Sequence, residues 1–145
     1  METNVSVVIA HHCGYLVNRC LKSLEGLDVE KIVVTSDISW KTKDKTVQVL
    51  YTKQNEPTWK RNMGSIFAKG KYLCFMDDDI EVTKDCIQRM SDLLDKEKDI
   101  GMVYATLEKM DNHKVIDTSG SFLSWSGFLY ETYIRRTTEL FIPIL

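Results

Sequence analysis

The sequence predicts an α/β protein with an open, mostly parallel sheet flanked by helices. Short apolar runs rich in β-branched residues alternate with longer segments whose apolar residues recur at helical spacing. The chain has 145 residues and is 43% hydrophobic, which fits one soluble globular domain with a real core. Polar residues follow several apolar runs directly, and ligands of such sheets bind beyond the carboxyl ends of the strands. We therefore expect the functional site at that edge.

The first half of the chain supplies three predicted strands and one helix. Residues 5–10 form a β-branched run that predicts the first strand. Apolar residues at helical spacing over residues 15–25, followed by Gly26 as a stop signal, predict a helix. Residues 31–35 and 46–51 predict the second and third strands, with a polar, lysine-rich loop between them.

A second helix and a fourth strand follow. Pro57 is placed for an early helical position, and Gly70 supplies the end of the helix. The predicted buried face of this helix consists of Trp59, Met63, Ile66 and Phe67. Residues 72–76 then predict the fourth strand.

The second half of the chain is less regular. An apolar stripe after Thr83 predicts a third helix, and residues 100–107 predict a fifth strand. Residues 114–116 predict a further short strand, while residues 118–133 show no clear periodicity.

Charge and cysteine content exclude several classes of function. The formal net charge is -2 and the charges are interspersed, so the chain lacks the basic stripe that nucleic acid requires. No C-x-x-C spacing links the four cysteines, which favours reduced core thiols over a zinc site. No apolar run has the length of a spanning helix and the first residues lack a signal-peptide pattern. We expect no transmembrane segment and a cytoplasmic protein.

Three consecutive carboxylates, Asp77, Asp78 and Asp79, follow the fourth predicted strand. In extended backbone Asp77 and Asp79 share one face and Asp78 points to the other. Two ionised carboxylates on one face need a compensating cation, and Mg²⁺ or Mn²⁺ carrying a phosphate-bearing substrate suits such oxygen ligands. The alternative is a solvated acidic turn. His11 and Asp37 follow the first and second strands, so polar groups from three strand ends meet at one crevice.

Five segments of the chain carry a family resemblance when they are taken in order. They are residues 5–9, 19–24, 31–34, 61–64 and 70–79. Together they resemble the family 2 glycosyltransferases, collinearly over residues 5–107. The resemblance implies a GT-A fold, a nucleotide-diphosphate sugar as donor, a divalent metal and inversion at the sugar. It also implies that the acidic triplet is the family's D-x-D motif, with Asp79 and Asp77 as metal ligands and with Asp77 and Asp78 at the nucleotide sugar.

Two departures from the family pattern bear on the nucleotide. The usual Pro-Thr-Tyr-Asn after the first strand is replaced by Ala-His-His-Cys at residues 10–13, so an imidazole can stack where the aromatic ring is missing. The acidic pair after the second strand is replaced by Thr-Ser, with Asp37 just beyond. By resemblance we place Ala10, His11, His12 and Asp37 in the nucleotide-sugar site. A metal pair formed by His11 and His12 is the rival interpretation.

Arg61 resembles the family's arginine near the diphosphate, and a solvated helix face is its alternative. Lys60 is the less favoured contact.

The resemblance implies that residues 1–145 are a single GT-A domain. Residues 5–107 would be the nucleotide-sugar-binding half, and residues 108–145 an incomplete acceptor-side segment of a truncated domain. No late acid matches the family's catalytic base, so none is named, and the acceptor is a glycan, lipid or protein. The apolar run 140–145 can pack on the sheet or on a partner chain, which allows a homo-oligomer.

Two other functions compete with transfer. A shortened GT-A domain can bind a nucleotide or nucleotide sugar without transfer, or serve as an assembly subunit. A phosphohydrolase of the haloacid dehalogenase type also carries D-x-D after a strand, but there the motif normally follows the first strand.

Overall fold

Four parallel strands form the main sheet of the computed structural model, which describes residues 4–131. The strand order is β3-β2-β1-β4. Their bounds are Val5–His11 for β1, Glu30–Thr35 for β2, Val47–Tyr51 for β3 and Tyr72–Asp77 for β4. Val8 pairs with Ile32 on one side and with Phe75 on the other, and every pairing in this sheet is parallel. The predicted α/β class and the four predicted strands are confirmed.

Helices cover both faces of this sheet. Their bounds are Leu16–Ser23 for α1, Pro57–Phe67 for α2 and Cys86–Lys96 for α3. Val17 and Cys20 of α1 join a core cluster with Val7, Ile9 and Val33. The opposite face carries Val8, Ile32 and Val34, against which Met63 of α2 packs. The division follows from strand alternation, because successive side chains of β1 point to opposite faces.

The predicted buried face of α2 is wrong for three of its four residues. Trp59 is 54% exposed, Ile66 79% and Phe67 44%, whereas the buried residues of the helix are Lys60 and Gly64. The reason is a close approach to the sheet at Gly64, where only a residue without a side chain fits. That contact fixes the rotation of the helix about its axis and turns much of the apolar stripe outward.

The predicted fifth strand is also wrong. In the described part of the chain residues 100–106 form no strand, and β5 spans only Leu107–Lys109. It pairs antiparallel with β6, Asn112–Thr118, across a turn of two residues. Such a short connection favours a local hairpin over a place in a parallel sheet. The predicted strand at residues 114–116 lies inside β6.

A second hairpin occupies the segment that showed no periodicity. Strands β7, Ser121–Leu123, and β8, Leu129–Glu131, pair antiparallel. Three-residue strands are too short to reveal an alternating pattern in the sequence. The apolar run 140–145 lies outside the described residues.

The chain divides into two compact units, residues 1–92 and 93–145. The main sheet lies in the first unit and both hairpins lie in the second. Within residues 4–131 no helix has the length and apolar character needed to cross a membrane.

The cysteines are free thiols. Burial raises the pKa of Cys20 to about 12 and that of Cys74 to about 11. A thiol with such a pKa carries almost no thiolate at neutral pH, so both groups are inert members of the core.

Gly64 allows a direct test of the packing of α2. A Cβ atom at this position would lie 2.3 Å from Cγ1 of Val8, whose stiff, β-branched side chain is fully buried. Gly64→Ala should therefore lower the free energy of unfolding by about 1–3 kcal/mol, measured by urea denaturation.

Gly101→Ala is the matched control, because a Cβ there meets no heavy atom within 4 Å. It should leave stability unchanged or raise it by less than about 1 kcal/mol. Equal stability of the two variants would contradict the close approach of α2 to β1.

Candidate functional site

The carboxyl ends of β1, β2 and β4 meet at one edge of the main sheet. These strands end at His11, Thr35 and Asp77, and β1 lies between the other two. The chain proceeds from β1 outward through β2 to β3 and then returns to place β4 on the other side of β1. The gap between β1 and β4 is therefore a topological switch point, where open α/β sheets bind their ligands.

Asp77 and Arg61 meet on the α2 side of this edge. Asp77 pairs with Ala10 of β1, so both side chains lie on the face that α2 covers. The guanidinium of Arg61 donates a hydrogen bond to Oδ1 of Asp77. The Arg61 side chain is 34% exposed and that of Asp77 54%, so the pair faces solvent at the strand edge. Nε of Arg61 is buried and has no hydrogen-bond partner in the described part of the chain.

Asp78 turns to the opposite face and holds the loop after β1. Its Oδ2 accepts hydrogen bonds from Nδ1 of His11 at 2.8 Å and from the backbone N–H of His12 at 3.1 Å. The His11 ring is fully buried and its centroid lies 5.1 Å from that of Trp40. Nε2 of His11 is buried and unpaired among residues 4–131. Asp78 thus joins the end of β4 to the end of β1.

Asp79 lies with Asp78 in the turn after β4, where strand alternation no longer applies. Its side chain is exposed, and it forms no hydrogen bond or ion pair with any residue that the structure describes. The acidic triplet therefore divides into one carboxylate held by Arg61, one held by the β1 loop and one left to solvent.

Asp37 closes the turn after β2. Its Oδ1 accepts hydrogen bonds from the backbone N–H of Ser39 at 2.9 Å, from the Ser39 hydroxyl at 2.5 Å and from the backbone N–H of Trp40 at 3.3 Å. The bonds from Ser39 hold the pKa of Asp37 below its usual value. This carboxylate stabilises its own loop, and its predicted place in the nucleotide-sugar site stays a prediction.

Lys60, which the sequence marked only as the less favoured contact, is a central residue of this edge. It is 1% exposed, and its ammonium donates to the backbone carbonyl of His11 at 2.8 Å, to Oγ of Ser36 at 3.1 Å and to Oδ1 of Asn55 at 2.9 Å. Burial lowers the pKa of Lys60, while the negative charges of Asp78 and Glu56 partly offset this effect. One cation thereby ties together the loops after β1, β2 and β3.

Asn55 is a second hub that the sequence did not reveal. Its Oδ1 also accepts hydrogen bonds from Oγ of Ser36 at 2.8 Å and from Nδ1 of His12 at 2.7 Å. For Lys60 the sequence did contain a signal of burial, because this residue lies one helical turn before Gly64 on the same face of the helix. Nothing in the local pattern around Asn55 or Ser36 pointed to their partners.

Carboxylate oxygens, as in Asp77 and Asp79, are the ligand type that a hard divalent cation prefers. No group of three or more His, Cys, Asp or Glu side chains in residues 4–131 could hold a metal by itself. Mg²⁺ is commonly bound by one or two carboxylates, with waters and substrate phosphates completing its coordination, so two aspartates suffice. The rival histidine pair stays a prediction, because the bonds from Nδ1 of His11 to Asp78 and from Nδ1 of His12 to Asn55 leave Nε2 of both rings unengaged among the described residues.

A parallel sheet with carboxylates and an arginine at its switch point defines an α/β domain with a candidate ligand site at the carboxyl edge. Residues 6–143 match the family model described as Glycosyl transferase family 2. The chain therefore belongs to glycosyl transferase family 2, as its resemblance predicted. No curated protein matches the chain.

The contact between Asp78 and His11 can be tested by mutation. Asp78→Ala removes the partner of Nδ1 in a ring whose Nε2 is already unpaired, so the free energy of unfolding should fall by about 1–3 kcal/mol. Amide hydrogen exchange at His12 should also become faster, because its N–H loses the acceptor.

Asp78→Asn keeps a carbonyl oxygen at this position and should lose less stability than the alanine variant. If Asp78→Ala is as stable as the unmodified protein in urea denaturation, Asp78 does not hold the β1 loop.

Proposed function

We propose that the chain transfers a sugar from a nucleotide-diphosphate donor to an acceptor hydroxyl of a glycan, lipid or protein, with a divalent metal and with inversion. Family membership supports glycosyl transfer. The observation that carries the proposal is the meeting of Asp77 and Arg61 at the switch point, with Asp79 exposed beside them. A ligand that carries both phosphate and a metal ion suits this edge, because the arginine can bind the phosphate and the carboxylates can bind the metal.

Arg61 is the residue proposed to bind the diphosphate. A guanidinium presents five N–H donors in a plane and pairs well with phosphate oxygens. Asp77 engages one of these donors and orients the group at the strand end. The partly exposed edge of the guanidinium remains available to a ligand in the crevice.

Asp77 and Asp79 are the residues proposed to hold Mg²⁺ or Mn²⁺. When bound, such an ion neutralises the charge that develops on the leaving diphosphate. Arg61 engages Oδ1 of Asp77 and leaves Oδ2 for a second interaction. Asp78 joins the end of β4, where both of these carboxylates lie, to the β1 loop.

Removal of the metal should weaken nucleotide binding. A nucleoside diphosphate should bind weakly in EDTA and more tightly when Mg²⁺ or Mn²⁺ is added, because the ion joins its phosphates to the aspartates. Titration calorimetry measures both affinities, and Asp79→Ala should abolish most of the metal-dependent gain.

Asp99→Ala provides the control, since Asp99 is another exposed aspartate outside the acidic triplet. It should retain the full metal effect. Equal affinity with metal and with EDTA would show that the aspartates do not act through an ion.

Loss of Arg61 should weaken binding without unfolding the protein. Arg61→Ala should cost about 1.5–3 kcal/mol of diphosphate affinity, the usual contribution of a hydrogen bond to a charged group. The melting temperature of the free protein should change little, because the pair with Asp77 is partly exposed.

Arg89→Ala is the matched variant, because Arg89 also pairs with an aspartate, Asp85, but on the exposed surface of α3. It should bind the diphosphate as the unmodified protein does. A large loss of stability in Arg61→Ala with unchanged affinity would assign Arg61 a structural role instead.

A further inference from the structure

The imidazole of His12 stands at the end of a chain of hydrogen bonds that begins at Lys60. An ammonium group can only donate hydrogen bonds. Its Nζ lies 2.9 Å from the side chain of Asn55, so the Asn55 atom at this contact is the carbonyl oxygen and not the amide nitrogen. The buried position of Lys60 therefore decides which way the Asn55 amide is turned.

The orientation of Asn55 in turn decides which nitrogen of His12 carries the proton. Nδ1 of His12 lies 2.7 Å from the same oxygen, which can only accept a hydrogen bond. Nδ1 must then be the protonated nitrogen. A neutral imidazole carries one ring proton, so Nε2 of His12 is left as a hydrogen-bond acceptor. His12 is exposed, and Nε2 forms no hydrogen bond within the described residues.

The backbone of His12 lies beside the acidic triplet at the switch point. His12 directly follows β1, and its backbone N–H bonds to Asp78, the central residue of the triplet. The loops after β1 and β2 border the same carboxyl edge as the end of β4, where the proposed function has the phosphates of a nucleotide.

Asp37 is the other candidate acceptor on that side, but its Oδ1 already receives three hydrogen bonds from its own turn. By contrast, the ring position of His12 is fixed through Nδ1 and its second nitrogen is unengaged in the described structure. A ring fixed in this way, with one acceptor in its own plane, can accept a hydrogen bond from a base that approaches it edge to edge.

We infer that Nε2 of His12 selects nucleotides whose base carries a ring N–H donor, as uracil, thymine and guanine do. Cytosine and adenine present an unprotonated ring nitrogen at that place, which would meet the lone pair of Nε2 without a hydrogen bond. This inference rests on the proposed function, because it requires a nucleoside diphosphate at the carboxyl edge. Lys60 and Asn55 are positioning residues that act through His12.

The test compares matched nucleotides by calorimetry in the presence of Mn²⁺. Uridine diphosphate should bind roughly tenfold more tightly than cytidine diphosphate or N3-methyluridine diphosphate, because each of the latter lacks the donor and leaves the acceptor unpaired. His12→Phe keeps a flat ring but has no acceptor. In this variant all three nucleotides should still bind, with affinities within roughly twofold of each other.

Asn55→Ala tests the route by which the tautomer is set. Nitrogen–proton correlation NMR of the unmodified protein should show His12 protonated at Nδ1 and unprotonated at Nε2. In Asn55→Ala the proton should distribute over both nitrogens, and the preference for uridine diphosphate over cytidine diphosphate should shrink. A merely structural role of Asn55 would change stability without moving the tautomer or this ratio.

The possible failures are distinguishable. Metal-dependent binding of all the nucleotides with equal affinity would overturn the role of His12 and leave the proposed function standing. A proton on Nε2 in the NMR spectrum of the unmodified protein would likewise overturn it. Absence of binding by any nucleoside diphosphate would overturn the proposed function and the inference together.

Discussion

A single buried ammonium group organises the carboxyl edge of this sheet. Lys60 is almost completely buried. Its ammonium group donates hydrogen bonds to the last carbonyl of β1, to Oγ of Ser36 after β2 and to Oδ1 of Asn55 before α2. A cation removed from water is tolerated only where such acceptors replace the lost hydration. Because each loop contributes one acceptor, the arrangement of all three depends on this one charge.

The close approach at Gly64 makes that arrangement possible. A helix that packs against Val8 without an intervening side chain brings the residue one turn earlier, Lys60, down to the level of the strand ends. The same rotation carries Arg61 to the neighbouring position beside Asp77. Adjacent basic residues of one helix thus take different roles, one within the scaffold and one at the crevice.

The acidic triplet shows the same division. Asp77, the last residue of β4, points toward α2, and Asp78, in the turn that follows, bonds to His11 on the face of α1, so the two side chains meet different partners although they are consecutive. The predicted opposition of these two residues is confirmed, and their partners agree with it. Asp79 lies in the same turn as Asp78, and no contact among the described residues places it on the face of Asp77, so the predicted sharing of one face by Asp77 and Asp79 stays a prediction.

Local pattern alone determined a large part of this protein. The four strands, the helices and the position of the carboxylates at a strand end follow from residues close together in the chain, and membership of glycosyl transferase family 2 follows from the order of such segments along residues 6–143. Where the local signal failed, a tertiary contact decided the outcome. The close approach at Gly64 set the rotation of α2 in place of its apolar stripe. A two-residue turn paired β5 with β6 in a hairpin.

Tertiary structure alone decided which polar groups meet. His11 and Asp78 are 67 residues apart in sequence, and Lys60 reaches the carbonyl of His11 across 49 residues. Periodicity reports on the chain within a few turns or strand residues, because it reflects which side of one element faces the core. A hydrogen bond between distant loops depends on the packing distance of a helix and on the order of strands in the sheet, and neither quantity is written in any local stretch of sequence.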